Sequence, residues 1–211
     1  PCGTVWDKED MLALESLVKD TNIMVLSDEV YEHIVFDGEK HQSACLFPDL
    51  KSRSFVVASF GKTFHNTGWR IGYCCAPKAL MDEFRKVHQF NVFCVNHPMQ
   101  IALAKYLENE NHYLELSAFY QQKRDLFLSL IKGSRFKFTP SKGTYFQLLD
   151  YSKITKENDV DFAKRLTIEN KLASIPISVF YDTKIESKML RFCFAKKDET
   201  LKHAADILNS I

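Results

Sequence analysis

This 211-residue sequence lacks the features that mark several large classes of protein. No apolar run approaches the roughly 20 residues that a membrane-spanning helix needs, and there are no repeats or low-complexity segments. The formal net charge is only +1, so we expect no broad basic surface for binding nucleic acid or a membrane. Hydrophobic residues nevertheless make up 45% of the chain, which predicts a folded protein with a buried core.

The usual metal and disulfide patterns are also missing. None of the six cysteines forms a C-x-x-C pair, and the seven histidines form no H-E-x-x-H motif. We therefore expect no metal site, and we interpret the cysteines as reduced thiols in a cytoplasmic protein. The chain opens with Pro1 rather than methionine, so the absence of a visible signal peptide does not bear on targeting.

The G-K-T stretch at 61–63 is not a phosphate-binding P-loop. That motif requires a glycine five residues before Gly61, and position 56 is Val. A P-loop nucleotide triphosphatase is therefore excluded. Lys62 needs another explanation, because a flexible cation directly after an apolar run must be solvated, paired or covalently used.

The beginning of the chain alternates a helical pattern with short apolar runs. Residues 7–20 are amphipathic, with Asp7 as a plausible N-cap and an apolar stripe that includes Leu17. The runs I-M-V-L-S at 23–27 and F-V-V-A-S at 55–59 predict strands buried on both faces. A third run at 71–76 ends before Pro77. This alternation predicts an α/β layer.

The remainder of the chain has an α+β pattern. We divide the sequence into 1–110, which continues the α/β layer with bridging helices, and 111–211, a smaller C-terminal domain. The pattern predicts helices at 78–90, 98–108, 113–132, 159–170 and 198–211, a hairpin with strands at 136–138 and 145–149, and further strands at 179–181 and 189–195.

A carboxylate, a hydroxyl and an amine stand at the ends of the first two predicted strands. Asp28 follows the run at 23–27, Ser59 ends the next run, and Lys62 lies just beyond it. If the strands are parallel, these side chains converge, because ligands bind at the carboxyl ends of parallel strands. The set suits pyridoxal phosphate: lysine bonds to its aldehyde and a carboxylate pairs with its pyridine nitrogen. Ser59 and Arg70 would supply donors for the phosphate.

Three motifs resemble those of the class I aminotransferases, which belong to the fold-type I enzymes that use pyridoxal phosphate. S-F-G-K-T-F-H-N-T-G-W-R-I-G-Y at 59–73 resembles the cofactor-lysine signature, and S-D-E-V-Y at 27–31 resembles the pyridine-nitrogen motif. L-R-F-C-F-A at 190–195 resembles the substrate-arginine strand. The most similar subgroup contains the methionine, glutamine and kynurenine aminotransferases. The resemblance implies the C-terminal part of the fold-type I large domain followed by an α+β small domain.

The resemblance also implies three catalytic residues. Lys62 would be the Schiff-base lysine, which also moves the substrate proton. Asp28 would hold the pyridine nitrogen, and Tyr31 would donate a hydrogen bond to the phenolic oxygen of the ring. Taken singly, each has an ordinary explanation: a solvated loop cation, a strand-end cap and a core aromatic.

Three further residues are assigned to binding by the same resemblance. Ser59 and Arg70 would bind the cofactor phosphate, and Arg191 would bind the α-carboxylate of the substrate. Ser59 alone is more often a turn cap, and Arg70 alone more often pairs with a surface acid. Arg191 is harder to dismiss, because a guanidinium in an apolar strand needs a partner. These ordinary explanations do not account for why all of these residues occur together, in the order and spacing of the family motifs.

We therefore predict a transaminase that exchanges amino groups between an amino acid, such as methionine, glutamine or an aromatic one, and a 2-oxo acid. It would use pyridoxal 5′-phosphate, act as a homodimer when intact, and bind neither nucleic acid nor membranes. One alternative is a pyridoxal-phosphate-dependent C–S β-lyase acting on cystathionine or cysteine conjugates. Another is the aminotransferase-like domain of a cofactor-sensing regulator, although no helix-turn-helix or basic face is visible.

The N-terminus resembles the end of a longer family motif. Pro1-Cys2-Gly3 is similar to the last residues of an asparagine- and proline-rich stretch of the class I aminotransferases. We therefore expect the chain to be a fragment that binds the cofactor weakly and transaminates poorly by itself. We also expect the strand that bears that asparagine to lie between the strands ending at Asp28 and Ser59.

Overall fold

The computed structural model describes residues 2–183 and 185–211, so Pro1 of the N-terminal motif lies outside the described residues. The chain forms two compact units. The N-terminal unit is Val5–Leu116, and the C-terminal unit is Ser117–Ile211 with the segment ending at Thr4. The division into domains 1–110 and 111–211 remains a prediction. No helix in the described ranges is both long and apolar enough to cross a membrane.

The N-terminal unit combines short strands with helices of one to four turns. Helix α1 begins as predicted, because the carboxylate of Asp7 accepts a hydrogen bond from the backbone of Asp10 and the reverse bond also forms. The elements are α1 (Lys8–Val18), β1 (Val25–Asp28), α2 (Pro48–Lys51), β2 (Ser54–Ser59), α3 (Phe60–Thr63), β3 (Gly72–Cys75), α4 (Lys78–Asn91), α5 (His97–Leu107) and α6 (Asn111–Leu114), with 3₁₀ turns at Ala44–Leu46 and Thr67–Trp69.

The three strands form one sheet in the order β1-β2-β3. Strands β1 and β2 are parallel, with Asp28 opposite Val57. Strand β3 runs antiparallel to β2, with Gly72 opposite Ser59. The parallel pairing brings the carboxyl ends of β1 and β2 to the same edge of the sheet, as the sequence analysis required.

Two expectations about β1 are wrong. No strand lies between β1 and β2, because the two are directly paired along Val25–Asp28. Strand β1 is also not buried on both faces: Leu26 is 71% exposed, and the other edge of β1 pairs with no strand of the described residues. An apolar run indicates that a strand is suited to burial, but it carries no information about strand order or about what covers it.

The core of the N-terminal unit lies on one face of this sheet. On the opposite face, Phe55 of β2 packs against Phe84 of α4, with the ring centroids 6.3 Å apart. Leu17 was predicted to belong to the buried stripe of α1 but is exposed, because the buried stripe of this helix runs through Met11 and Val18. The buried cluster contains Met11, Val18, Ala44, Phe47, Leu50 and Val56.

The C-terminal unit has a second antiparallel sheet, in the order β4-β6-β5. Its fully buried side chains include Tyr120, Ile131, Phe136, Leu149, Tyr151, Phe162 and Leu190. Its elements are α7 (which begins in the N-terminal unit and spans Leu116–Ile131), β4 (Phe146–Asp150), α8 (Asp159–Glu169), β5 (Ile175–Pro176), β6 (Met189–Cys193) and α9 (Asp198–Ser210).

Three predicted elements differ in the structure. Residues 179–181 are not a strand: a 3₁₀ turn spans Ser178–Phe180, because both the backbone N–H and the hydroxyl of Ser178 donate to the buried Asp159 carboxylate, at 2.7 and 2.6 Å. The first strand of the predicted hairpin is reduced to a single bridge between Lys137 and Asp150. The helix predicted at 113–132 is divided between α6 and α7. The other predicted helices form within about two residues of their expected bounds.

Candidate active site

The carboxyl ends of β1 and β2 bring three of the predicted residues to one edge of the sheet. Asp28 is the last residue of β1, and Ser59 is the last residue of β2. Asp28 is paired with Val57, which lies two residues before Ser59, so the side chains of Asp28 and Ser59 are on the same face. Helix α3 follows β2 immediately and places Lys62 just beyond this edge.

The chain around Lys62 is tightly fixed. The hydroxyl of Ser59 caps α3 by accepting a hydrogen bond from Gly61 N–H at 3.2 Å. A Cβ atom at Gly61 would lie 2.9 Å from Thr67 Cα, and the Thr67 hydroxyl donates to the Gly61 carbonyl at 3.1 Å. The loop that follows Lys62 therefore packs back against it, and only glycine fits at position 61.

The Lys62 amine itself has no hydrogen bond or ion pair within the described residues. The side chain is half-buried. A partly buried amine that pairs with no carboxylate is available to react with a carbonyl carbon, whereas a surface lysine is usually solvated or paired. An amine of this kind is the type of nucleophile with which an aldehyde cofactor reacts.

Asp28 and Tyr31 lie in consecutive parts of the same segment. The exposed Asp28 carboxylate accepts one hydrogen bond, from Val30 N–H at 3.2 Å. Tyr31 is half-buried and lies in hydrogen-bonded turns rather than in a helix, with Ile34 N–H donating to its carbonyl at 2.8 Å. Asp28 therefore retains acceptor capacity for a further donor, such as a protonated pyridine nitrogen.

Arg70 has an unusual backbone conformation. Its φ angle is 56°, in the left-handed region that glycine normally occupies. It ends the 3₁₀ turn Thr67–Trp69, and its guanidinium is exposed and donates to the Thr67 carbonyl at 3.2 Å. Strained residues of this kind concentrate in binding loops, where the surrounding structure holds them in place.

Arg191 belongs to β6 in the C-terminal unit. Its guanidinium lies over two aromatic rings, 4.2 Å from the centroid of Phe146 and 4.8 Å from that of Phe180. Its Nε atom is buried and has no hydrogen-bond partner in the described parts of the chain. It borders a pocket of about 370 Å³. A buried donor without a partner is costly, which favours an acceptor supplied by a ligand.

The sequence analysis missed a buried carboxylate beside Asp28. Glu29 is only 6% exposed, and its carboxylate lies 2.8 Å from His41 Nε2. Burial by itself would raise the pKa of Glu29, but hydrogen bonds from His41, Ala44, Ser43 and Ser27 hold that pKa below its ordinary value. The adjacent acids in S-D-E-V-Y were a usable signal, because successive strand residues point to opposite faces and one of them must turn inward.

Known proteins match this chain over nearly its whole length. The family model described as "Aminotransferase class I and II" matches residues 1–208. The chain belongs to the class I and II aminotransferase family. This confirms the resemblance drawn from the three motifs, and enzymes of this family depend on pyridoxal phosphate.

Several relatives are close in sequence and structure. A methionine aminotransferase of Escherichia coli is 47% identical over 212 residues, which cover 100% of this chain and 55% of that protein. A kynurenine–oxoglutarate transaminase of Dictyostelium discoideum is 34% identical, over 99% of this chain and 53% of its own length. The solved structure of an E. coli methionine aminotransferase matches with a TM-score of 0.96 and 46% identity, over 99% of this chain and 56% of that one.

A more distant structure shares the same fold. The N-succinyldiaminopimelate aminotransferase of Mycobacterium tuberculosis has a TM-score of 0.93 at 30% identity, over 100% of this chain and 55% of its own. These likenesses confirm the predicted α/β fold of fold type I. The chain spans about half the length of the curated relatives it matches.

The donor set fits pyridoxal phosphate. Lys62 offers an amine that has no partner among the residues that the structure describes. Asp28 offers a carboxylate with unused acceptor capacity at the same sheet edge, and Arg70 offers an exposed guanidinium in the loop that follows. No cluster of three or more potential metal ligands occurs among the residues that the structure describes.

Proposed function

We propose that this protein is an aminotransferase that moves an amino group between an amino acid and a 2-oxo acid with the help of pyridoxal phosphate. The observation that supports this most strongly is the position of the half-buried Lys62 amine, which has no partner in the described parts of the chain. It lies at the sheet edge where Asp28 ends the neighbouring parallel strand. Membership of the aminotransferase family supports the same reaction class.

Five residues of the N-terminal unit would hold the cofactor. Asp28 would pair with the pyridine nitrogen, Tyr31 would donate to the phenolic ring oxygen, and Lys62 would bond to the aldehyde carbon. Ser59 and Arg70 would bind the phosphate, for which a planar guanidinium is well shaped. When bound, the cofactor withdraws electrons from the substrate Cα and makes its proton acidic.

Two residues would then act on the substrate. The Lys62 amine, once released from the aldehyde carbon, would remove the proton from the substrate Cα. It would then deliver this proton to C4′, the cofactor carbon that had carried the aldehyde. Arg191 would bind the α-carboxylate through two parallel hydrogen bonds, which supplies the buried Nε–H region of this side chain with a charged acceptor. Holding the carboxylate would also restrict the orientation of the substrate.

The names of the relatives favour particular substrates. A methionine aminotransferase and several kynurenine–oxoglutarate transaminases are among them, so we propose methionine and bulky aromatic amino acids as donors.

An exposed apolar surface on and after α4, where Phe90 is 87% exposed, supports the proposed homodimer, because surfaces of this kind are usually covered by a partner. The six free thiols support a reducing, cytoplasmic location.

Transfer of a labelled amino group tests the reaction directly. The chain would be incubated with pyridoxal phosphate, ¹⁵N-methionine and a 2-oxo acid, and mass spectrometry would follow the label in the newly formed amino acid. We expect transfer that Lys62→Ala abolishes and that Lys86→Ala leaves unchanged, because Lys86 is an exposed cation paired with Glu83 on α4. Transfer that persists in Lys62→Ala would refute the assignment. Release of pyruvate from cystathionine without amino transfer would instead identify a C–S β-lyase.

A further inference from the structure

The buried Glu29 and the half-buried His41 form a pair directly behind the strand end that carries Asp28. The Glu29 carboxylate is within 2.8 Å of His41 Nε2, and it accepts hydrogen bonds from the Ser27 hydroxyl and from Ala44 N–H, both at 2.9 Å. Three partners from two segments of the chain, Ser27 and residues 41–44, therefore fix this carboxylate in one orientation. Loss of these partners would leave a buried carboxylate without hydrogen bonds, which strongly destabilises the folded state.

The backbone of Glu29 continues the sheet beyond the end of β1. Its N–H donates to the Val57 carbonyl at 2.8 Å, one residue past the last paired position, Asp28. The next N–H, that of Val30, donates to the Asp28 carboxylate at 3.2 Å. The backbone on the C-terminal side of Asp28 is therefore held by the same residue whose side chain is anchored in the core.

The two neighbouring acids point to opposite faces of the sheet end, because side chains alternate along a strand. Ser27 and Glu29 lie on the face that carries the buried Val56, whereas Asp28 lies on the face of Ser59. Asp28 is exposed and its carboxylate has one hydrogen bond, from within its own turn. Its direction depends on the backbone of this strand end, which continues directly into the anchored Glu29.

We propose that the Glu29–His41 pair is a positioning device that fixes the direction of the Asp28 carboxylate toward the pyridine nitrogen of the cofactor. This inference rests on the proposed function of Asp28. Neither Glu29 nor His41 needs to touch the cofactor. Residues that do not contact a ligand can still hold a charged side chain in its binding orientation. A solvent-exposed side chain would not keep that orientation by itself.

Amide hydrogen exchange tests the anchoring without any cofactor. In Glu29→Ala, we expect the amides of residue 29 and Val30 to exchange roughly tenfold faster, while the amides of β4 and β6 remain unchanged. Glu29→Gln retains the acceptor for Ser27 and Ala44, so its effect should be smaller; it also carries the test if the alanine variant does not fold. Glu32→Gln is the matched control, because Glu32 accepts from the Tyr73 hydroxyl and not from the strand end. Unchanged exchange at Val30, or equal acceleration throughout the N-terminal unit, would overturn the inference.

A double-mutant cycle on cofactor binding tests the link to Asp28. We expect Glu29→Gln to weaken pyridoxal phosphate binding several-fold, and to have no further effect when Asp28→Ala is already present, because the pair acts only through Asp28. Additive losses would show that Glu29 acts independently and would contradict the proposal. If the unmodified chain forms no Lys62-dependent complex, the proposed function fails, and the exchange measurement still decides whether Glu29 holds Asp28 in place.

Discussion

Arg191 combines two properties that ordinary surface arginines do not share. Its guanidinium contacts the rings of both Phe146 and Phe180, and its Nε–H is buried without a partner in the described residues. The rings fix the plane of the guanidinium, so two parallel hydrogen bonds to a carboxylate can form without a search for the right rotamer. At the residue scale, this preorganisation is what the proposed substrate binding depends on.

Replacing Arg191 by lysine should therefore separate substrate binding from cofactor attachment. Lysine keeps the charge but loses the planar fork, so we expect KM for the amino acid to rise roughly tenfold to a hundredfold. The covalent attachment of the cofactor should not change. Arg85→Lys on the exposed side of α4 is the control. Steady-state kinetics measure the effect, and an unchanged KM in Arg191→Lys would refute the carboxylate-binding role.

At the scale of elements, the close packing of β2 and β3 orders the loop that contains Lys62. A Cβ atom at Gly72 would lie 2.4 Å from the Ala58 carbonyl oxygen, so no side chain fits there without moving a strand. Gly72→Ala should destabilise the N-terminal unit by about 1–3 kcal/mol, as overpacking does elsewhere. Gly133→Ala is the matched control, because no described atom lies within 4 Å of the added methyl group.

Denaturant unfolding followed by a probe in each unit would measure this effect. The account predicts a lower midpoint for the N-terminal unit in Gly72→Ala and no loss in Gly133→Ala. Equal stability of the two variants would show that β2 and β3 can separate without cost, and would remove the argument that their packing holds the Lys62 loop in place.

Patterns in the sequence were sufficient for elements whose ends carry local signals. The Asp7–Asp10 capping box set the start of α1, and the positions of Asp28 and Lys62 after apolar runs predicted a shared sheet edge. The strand expected at 179–181 failed because its apolar composition says nothing about Asp159, which is distant in sequence and draws Ser178 into a turn. The Glu29–His41 pair was missed for the same reason, since its partners come from a segment with no repeating pattern.

At the scale of the whole molecule, the two units differ in how completely they cover their strands. In the C-terminal unit β6 has a strand on each side, and Leu190 and Phe192 are buried. In the N-terminal unit β1 is an edge strand within the described residues, and Leu26 is largely exposed. Strands with one solvent-facing edge open more readily than central strands.

Hydrogen exchange on the native chain should reflect this difference. We expect the amides of β6 to be protected more than those of β1 by at least about tenfold, because local opening of β1 breaks hydrogen bonds to a single neighbour. Equal protection in the two strands would mean that the edge of β1 is covered in solution, for example by a second copy of the chain.

The proposed function depends above all on the Lys62 amine being the group that binds the cofactor aldehyde. The most direct measurement is reduction with borohydride after incubation with pyridoxal phosphate, followed by digestion and mass spectrometry to locate the modified lysine. We expect the cofactor to be fixed on Lys62 in preference to the exposed lysines, and Lys62→Ala to form no such adduct. Modification spread over exposed lysines such as Lys78 and Lys86, with Lys62 unmodified, would contradict it.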